Sequence, residues 1–434
     1  MKLSKNSEIL MSFFIEKKSI NHIEHTKRTD NILKQLLNNI KQAAKYVNNK
    51  LEQESKFYKL TVTKLSNISQ IPRPQTFSAN SFPKEIREHI NNMMLYNLSY
   101  TFSLFNREIT IQFIVETSKI ELQIELYHEY VEKILVLLYI INEYASKKCS
   151  KKLFIYLYFT SLKKNLPSSN THILNENNVN TAFTHTCQIN SEIVIFRKEE
   201  WFKVLMHESF HNFALDFSDM NISNCTNHIL NIFKVKSDVN LFEAYTEFWA
   251  EIMNAVFCSF YLLKSINNDN DNNNNNNNND KEEKEFLSYC EFFINFERTY
   301  KFFQMVKTLN FMGLKYTDLY SNTLNSSMMR ETLYKEKTNV LAYYILTTIL
   351  MNNYQDFLFW CDKNNSSLLQ FKKTESNLNE LCIFIEKKYK TKSIIDSVNC
   401  MQQFILRLQN GNHPSSKNMK FLLNNMRMSI CELG

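Results

Sequence analysis

Glycine and proline are scarce in this chain, with 3 and 5 among 434 residues. Both interrupt regular structure, so their scarcity favours long helices. Close cysteine pairs are missing too. The nine cysteines (149, 187, 225, 258, 290, 361, 382, 400 and 431) are dispersed, with no C-x-x-C. That pattern points to reduced, buried thiols in a cytoplasmic setting, and against a disulfide frame or a cysteine zinc site. No apolar run is long enough for a bilayer, since the longest extends only from Val340 to Met351. Near the start, the apolar run from Ile9 to Ile15 is broken by Ser12 and lacks a small-residue cleavage signal, so neither a secretory peptide nor a membrane anchor is expected.

What is present suits a soluble globular protein. Apolar residues make up 44% and aromatic residues 13%, enough for a full core, and the length suits two or three sub-regions. The net charge of +7 is concentrated at one end: residues 1–80 hold 14 Lys/Arg against 6 Asp/Glu. These positive residues stand singly or in pairs among Asn, Ile and Leu, without dense clusters or interleaved aromatics. They describe a solvated helical face and not a nucleic-acid surface.

Four sections are expected along the chain: a basic helical region over 1–94, a mixed core over 95–266, an Asn-rich loop over 267–280 and a helical region over 281–434. Ile32, Leu33, Leu36, Leu37, Ile40 and Ala43 recur at helical spacing. A proline-bearing connector from Ile71 to Pro83 leads to a short helix through Ile86 to Met94. Tyr100 to Phe105 and Ile109 to Val115 suggest a hairpin, Thr117 to Ser146 a helix, and LFIYLYFT from Leu153 a strand. A polar stretch follows from Ser161 to Asn180, then β-like pieces at Thr181 to Cys187 and Glu192 to Phe196. His185 falls there and is taken as a surface histidine. The run NNDNDNNNNNNNN from Asn267 to Asn279 cannot bury anything and lacks the Gly and closing Glu of a calcium loop, so a disordered loop is expected. Helices resume at Glu285 to Leu309, Asn339 to Trp360, Leu378 to Tyr389, Ser393 to Leu408 and near Met419 to Ile430.

The stretch that carries chemistry is Arg197 to Asp219, with His207-Glu208-Ser209-Phe210-His211. On a helix, residues four apart share a face, so His207 and His211 can offer two imidazoles to one zinc ion with Glu208 beside it. Zinc with neutral nitrogen ligands and an open position lowers the pKa of bound water to about 7, and a neighbouring carboxylate can take the proton and return it to a leaving amine. The helix is otherwise apolar, through Trp201, Val204, Leu205, Phe210, Phe213 and Phe217. Histidines and a glutamate there need a partner, and a metal is the simplest one.

Candidates for a third ligand lie on the next helical segment, Asn240 to Ile266, where Glu243, Glu247 and Glu251 recur at intervals of four among large apolar residues. Asp216 or Asp219, close to the motif, is the alternative. Metzincins are excluded, because their extended pattern requires Gly at Ala214 and His at Phe217. With Glu243-Ala244-Tyr245-Thr246-Glu247 following His-Glu-Ser-Phe-His, the chain resembles the gluzincin, or thermolysin-like, group of zinc metallopeptidases. Phe242 and Glu247 stand where that group often has Asn and Asp. The resemblance implies Glu243 as third ligand and Glu247 as the acid that orients a ligand histidine. It also implies an α+β zincin-like core of mixed sheet, active-site helix and glutamate helix, with peptide or protein substrates. In that family a downstream tyrosine or histidine stabilises the oxyanion; Tyr344, Tyr343 and Tyr334 are candidates for this, though each is read first as a core residue.

The expectation is therefore a zinc-dependent peptidase: His207, His211 and Glu243 as ligands, Glu208 as general base and acid, Glu247 in support and Tyr344 as a candidate oxyanion donor. The rivals are a zincin-like protein that binds zinc but serves structure or interaction, and a nucleic-acid-associated factor acting through the basic N-terminal region.

Overall fold

Period-two alternation builds the sheet. In the strand Arg107–Val115, Arg107, Ile109, Ile111 and Phe113 face one side and are buried, while Glu108 is exposed and Thr110 and Gln112 are half-buried. The computed structural model describes residues 3–16, 22–54, 57–269, 278–410 and 417–433. Most of the Asn-rich loop, 270–277, lies outside the described residues. The fold is α+β, with one mixed six-stranded sheet and otherwise mostly helices.

The chain divides into two compact units, and the division cuts across the sequential sections read from the sequence. The sheet unit is Gln35–Lys163 with Asn180–Asp219; the helical unit is Met1–Lys34, Lys164–Val179 and Met220–Gly434. Packing, not order along the chain, sets these boundaries. The helix carrying the histidine motif and the glutamate helix, expected in one core block, accordingly fall in different units.

In the sheet unit the strands are β1 (Lys59–Lys64), β2 (Tyr96–Leu104), β3 (Arg107–Val115), β4 (Lys152–Phe159), β5 (Ala182–Thr184) and β6 (Asn190–Ile195), in spatial order β1-β2-β3-β4-β6-β5. The pairs β1–β2, β2–β3 and β5–β6 are antiparallel, and β3–β4 and β4–β6 are parallel. The hairpin expected here is present, but its turn is Phe105-Asn106, both with positive φ, and Arg107 already belongs to β3. A two-residue loop of that kind matches the twist of the strands it joins. The edge strand β1 was not foreseen. Its sequence KLTVTK is exposed along nearly its whole length, so no buried face marks it, and terminal lysines are what an edge strand tolerates.

Helices cover both faces of the sheet. On one, Phe113 of β3 meets Tyr127 and Tyr130 of α4 (Ile124–Tyr144) and Trp201 of α6 (Trp201–Asn212). On the other, Ile114, Tyr156, Tyr158 and Val194 pack with Ile86 and Ile90 of α3 (Lys84–Met93). The preceding helices are α1 (Lys5–Glu16) and α2 (Lys27–Gln53), and the six apolar positions predicted for α2 are all buried. Between β4 and β5 stands a single turn, α5 (Glu176–Val179).

The helical unit is built on α8 (Leu241–Asp269) and α9 (Asn278–Met312), which pack together, with α7 (Ser223–Ile232) before them and α10 (Leu324–Leu333) after. The helix foreseen from Asn339 to Trp360 is interrupted. Leu341–Leu346 is wound as a π-helix, continues as α11 (Thr347–Asn352), breaks at Asn353 and resumes as α12 (Tyr354–Asn364). Such π segments are rare and gather at functional sites. The remaining helices are α13 (Glu375–Lys388), α14 (Lys392–Asn410) and α15 (Lys417–Asn424). Among the described residues no helix is long and apolar enough to cross a membrane.

One sequence expectation is overturned: Cys149 and Cys187 form a disulfide, with Cα atoms 4.5 Å apart. Sheet register brings them together, because Lys152 pairs with Asn190 and the Ser150 amide donates to the Gln188 carbonyl. Spacing along the chain carries no trace of that proximity. Of the remaining cysteines, all but Cys400 are buried.

Candidate metal centre

All twelve residues of α6 are buried, and His207, Glu208 and His211 are 5%, 7% and 8% exposed. A helix so enclosed cannot leave charged and imidazole groups unsatisfied. Its i, i+4 spacing sets the two rings on one face, with the Nε2 atoms 3.1 Å apart. Two nitrogens about 2.0–2.1 Å from one tetrahedral zinc stand about 3.3 Å apart, so the pair is spaced for a shared cation.

The end of α6 determines what holds His211. Ala214 adopts φ +55°, its amide donates to the His211 carbonyl, and the Leu215 amide donates to the Phe210 carbonyl. This is a Schellman turn with alanine where glycine is usual, and it folds the chain back over the last helical turn. Asp216 thereby reaches His211, its Oδ2 lying 2.5 Å from Nδ1. The Ser218 hydroxyl donates to the other carboxylate oxygen at 3.0 Å and is paired with Thr186 at 2.9 Å. A carboxylate beside Nδ1 places the proton there, so the lone pair of Nε2 faces the pair of rings, as metal ligation requires. Asp216, weighed from the sequence as a ligand, is instead the hydrogen-bond partner of His211. Asp219 is exposed.

Asn212, next to His211, ties the helix end to the sheet. Its amide nitrogen donates to Thr184 Oγ1 at 2.9 Å, its side-chain oxygen accepts from Ser150 at 2.6 Å, and its carbonyl accepts from the Cys187 amide at 2.9 Å. The disulfide Cys149–Cys187 therefore braces the same turn. Strain gathers here as well: Ser150, Cys187 and Ala214 all have φ between +52° and +55°. Non-glycine residues in this region cost about 1–3 kcal/mol each and persist where the surroundings impose them.

Glu243 lies in the first turn of α8, which follows Val239 at φ +43°. Its Oε2 accepts from the Tyr343 hydroxyl at 2.8 Å and its Oε1 from the Asn339 side chain at 3.3 Å. Tyr343 stands on the π-wound segment, and these donors fix the carboxylate in one rotamer. Glu247 and Glu251 both pair with the fully buried Lys301 of α9, Glu247 at 3.3 Å. Burial pulls the Lys301 pKa down, but Glu251 and Glu247 outweigh it and the net shift is upward, so the ammonium stays charged. Tyr344 is fully buried and its hydroxyl donates to the Met426 carbonyl at 2.8 Å. That bond ties the hydroxyl to the helical unit's own core. Tyr334 is buried and donates to Glu336 at 3.0 Å.

Among the described residues, one group of His, Cys, Asp or Glu side chains is suited to hold a metal ion. It consists of His207, His211 and Glu243, whose ligand atoms all lie within 4.8 Å of one another. Asp216, Tyr343 and Asn339, which steady that group, were not assigned these roles from the sequence. Only the Schellman turn and the π-helix bring them there, and neither leaves a periodic mark. No protein-family model, curated protein or solved structure matches the chain.

Proposed function

We propose that the protein is a zinc-dependent peptidase of the zincin type, with His207, His211 and Glu243 as metal ligands. The observation that carries this reading is the grouping of two buried imidazoles and one carboxylate within 4.8 Å, with a carboxylate fixing the tautomer of His211. Two neutral nitrogens and one oxygen are a donor set that zinc accepts and that leaves a fourth position open. When bound, zinc supplies Lewis-acid polarisation of a carbonyl and acidification of water.

The chain's own groups supply the rest. Glu208, adjacent to His207, takes the proton from attacking water and returns it to the leaving amine. Asp216 holds His211, and Tyr343 with Asn339 holds Glu243. The supporting role that the resemblance implies for Glu247 is kept as part of this reading, with Lys301 as its partner within the helical unit. The edge strand β5, antiparallel to β6, is where an extended substrate backbone would pair, and such pairing favours peptides over other amides. The purified protein is expected to carry one equivalent of zinc, and His211→Ala to carry much less. Peptide hydrolysis that is unaffected by a zinc chelator would exclude this function, whereas zinc without hydrolysis would favour the structural alternative.

A further inference from the structure

We propose that the sheet unit binds a phosphate-bearing small molecule in a cavity at the turn between β2 and β3, against the buried guanidinium of Arg107. The cavity has a volume of about 660 Å³, within the range of small-molecule sites, and is lined by Arg107, Asn142, Glu143, Lys147, Lys148 and Lys151, among others. Arg107 sits here because it opens β3 on the strand's buried face. It is 5% exposed.

What Arg107 touches accounts for part of its burial. Its guanidinium donates to the Asn142 side chain and, at 3.0 Å, to the Ser146 carbonyl just past the end of α4, and it lies 5.5 Å from the Phe213 ring centre. These contacts cap the helix. They do not neutralise the charge: no carboxylate lies within ion-pair distance of Arg107 among the described residues, and its Nε has no hydrogen-bond partner. Burial alone acts on it, pulling its pKa down with no acid to counter. A buried cation is ordinarily paired.

The lining repeats the imbalance. Four cations face one carboxylate, and the C-terminal end of α4 contributes only about half a negative charge. The lining therefore carries an excess of about two and a half positive charges, enough to balance a phosphoryl group, which brings about two negative charges near neutral pH. A planar fork of N–H donors with lysines at the rim is a combination that recognises phosphate oxygens. Phe105, at φ +50°, also lines the cavity and stacks on Tyr46, offering an apolar wall to the organic part of such a ligand.

The test is calorimetric titration of the 434-residue chain with inorganic pyrophosphate and, separately, with adenosine monophosphate, at low salt. Saturable binding of at least one is expected. It should weaken about 30-fold in the triple variant Lys147→Gln, Lys148→Gln, Lys151→Gln, whose lysines are exposed and whose melting temperature should match the parent's. Tighter binding of adenosine monophosphate supports an organic phosphate, and tighter binding of pyrophosphate supports an inorganic one. Absence of saturable binding by either probe overturns the proposal. So does binding that the triple variant leaves unchanged, since that would place the anion elsewhere, including at the proposed metal centre.

Discussion

Replacing Asp216 by Asn should weaken zinc binding without removing a ligand. Asp216 is fully buried, and its two oxygens accept from two donors, His211 Nδ1 and the Ser218 hydroxyl. An asparagine keeps the shape but has only one oxygen, so its amide nitrogen must confront one of those donors. The loss is one charge-assisted hydrogen bond, about 1.5–3 kcal/mol. That corresponds to roughly a 10- to 100-fold drop in metal affinity, the scale on which partners of metal-binding histidines act. Competition with a chromogenic chelator measures it, with Asp219→Asn as the control. An Asp216→Asn protein with zinc affinity within about threefold of the parent would refute the orienting role. Loss of zinc from Asp219→Asn alone would point instead to a ligand in the loop.

Further expectations follow from the same geometry. Ala214→Gly should raise stability by about 0.5–1 kcal/mol in urea unfolding, because about 1–2 kcal/mol of left-handed strain is relieved against about 0.5–1 kcal/mol of extra backbone entropy. Tyr343→Phe should weaken zinc binding about tenfold through loss of a bond to an ionised carboxylate, whereas Tyr344→Phe should lower stability by about 1 kcal/mol and leave hydrolysis unchanged. If Tyr344→Phe abolishes hydrolysis in a folded protein, the placement of its hydroxyl on Met426 is not the whole account. Cys149→Ser should cost about 4 kcal/mol, the loop-closure entropy for a separation of 38 residues, and intact-mass measurement with and without reductant should show the bridge directly.

The strongly periodic parts of the molecule were legible in the sequence, and so were the residues of the candidate centre. Six apolar positions announced α2, LFIYLYFT announced β4, and the spacing of His207, Glu208 and His211 announced a helix with two imidazoles on one side. Three kinds of feature left no signal. An exposed edge strand such as β1 has no buried face to reveal it. The disulfide depends on sheet register between residues 38 positions apart. The partners of the centre depend on unusual backbone: among the described residues, seven that are not glycine take positive φ, a conformation usually marked by glycine. In a chain with three glycines those turns are made by Phe105, Asn106, Ser150, Cys187, Glu200, Ala214 and Val239, and of these only Asn106 is a customary turn residue for this conformation. The different placing of Tyr343 and Tyr344 was hidden for a related reason. In α-helical winding adjacent tyrosines are equivalent candidates, and the π-wound segment decides which one reaches Glu243.

The most direct measurement is hydrolysis of a peptide library by the parent and by Glu208→Gln, with the zinc content of each sample determined in parallel. Glutamine keeps the size and polarity of the side chain but cannot accept the proton. The account predicts one zinc in both proteins and cleavage only in the parent. Equal cleavage by Glu208→Gln, or a parent that binds no zinc, would contradict it.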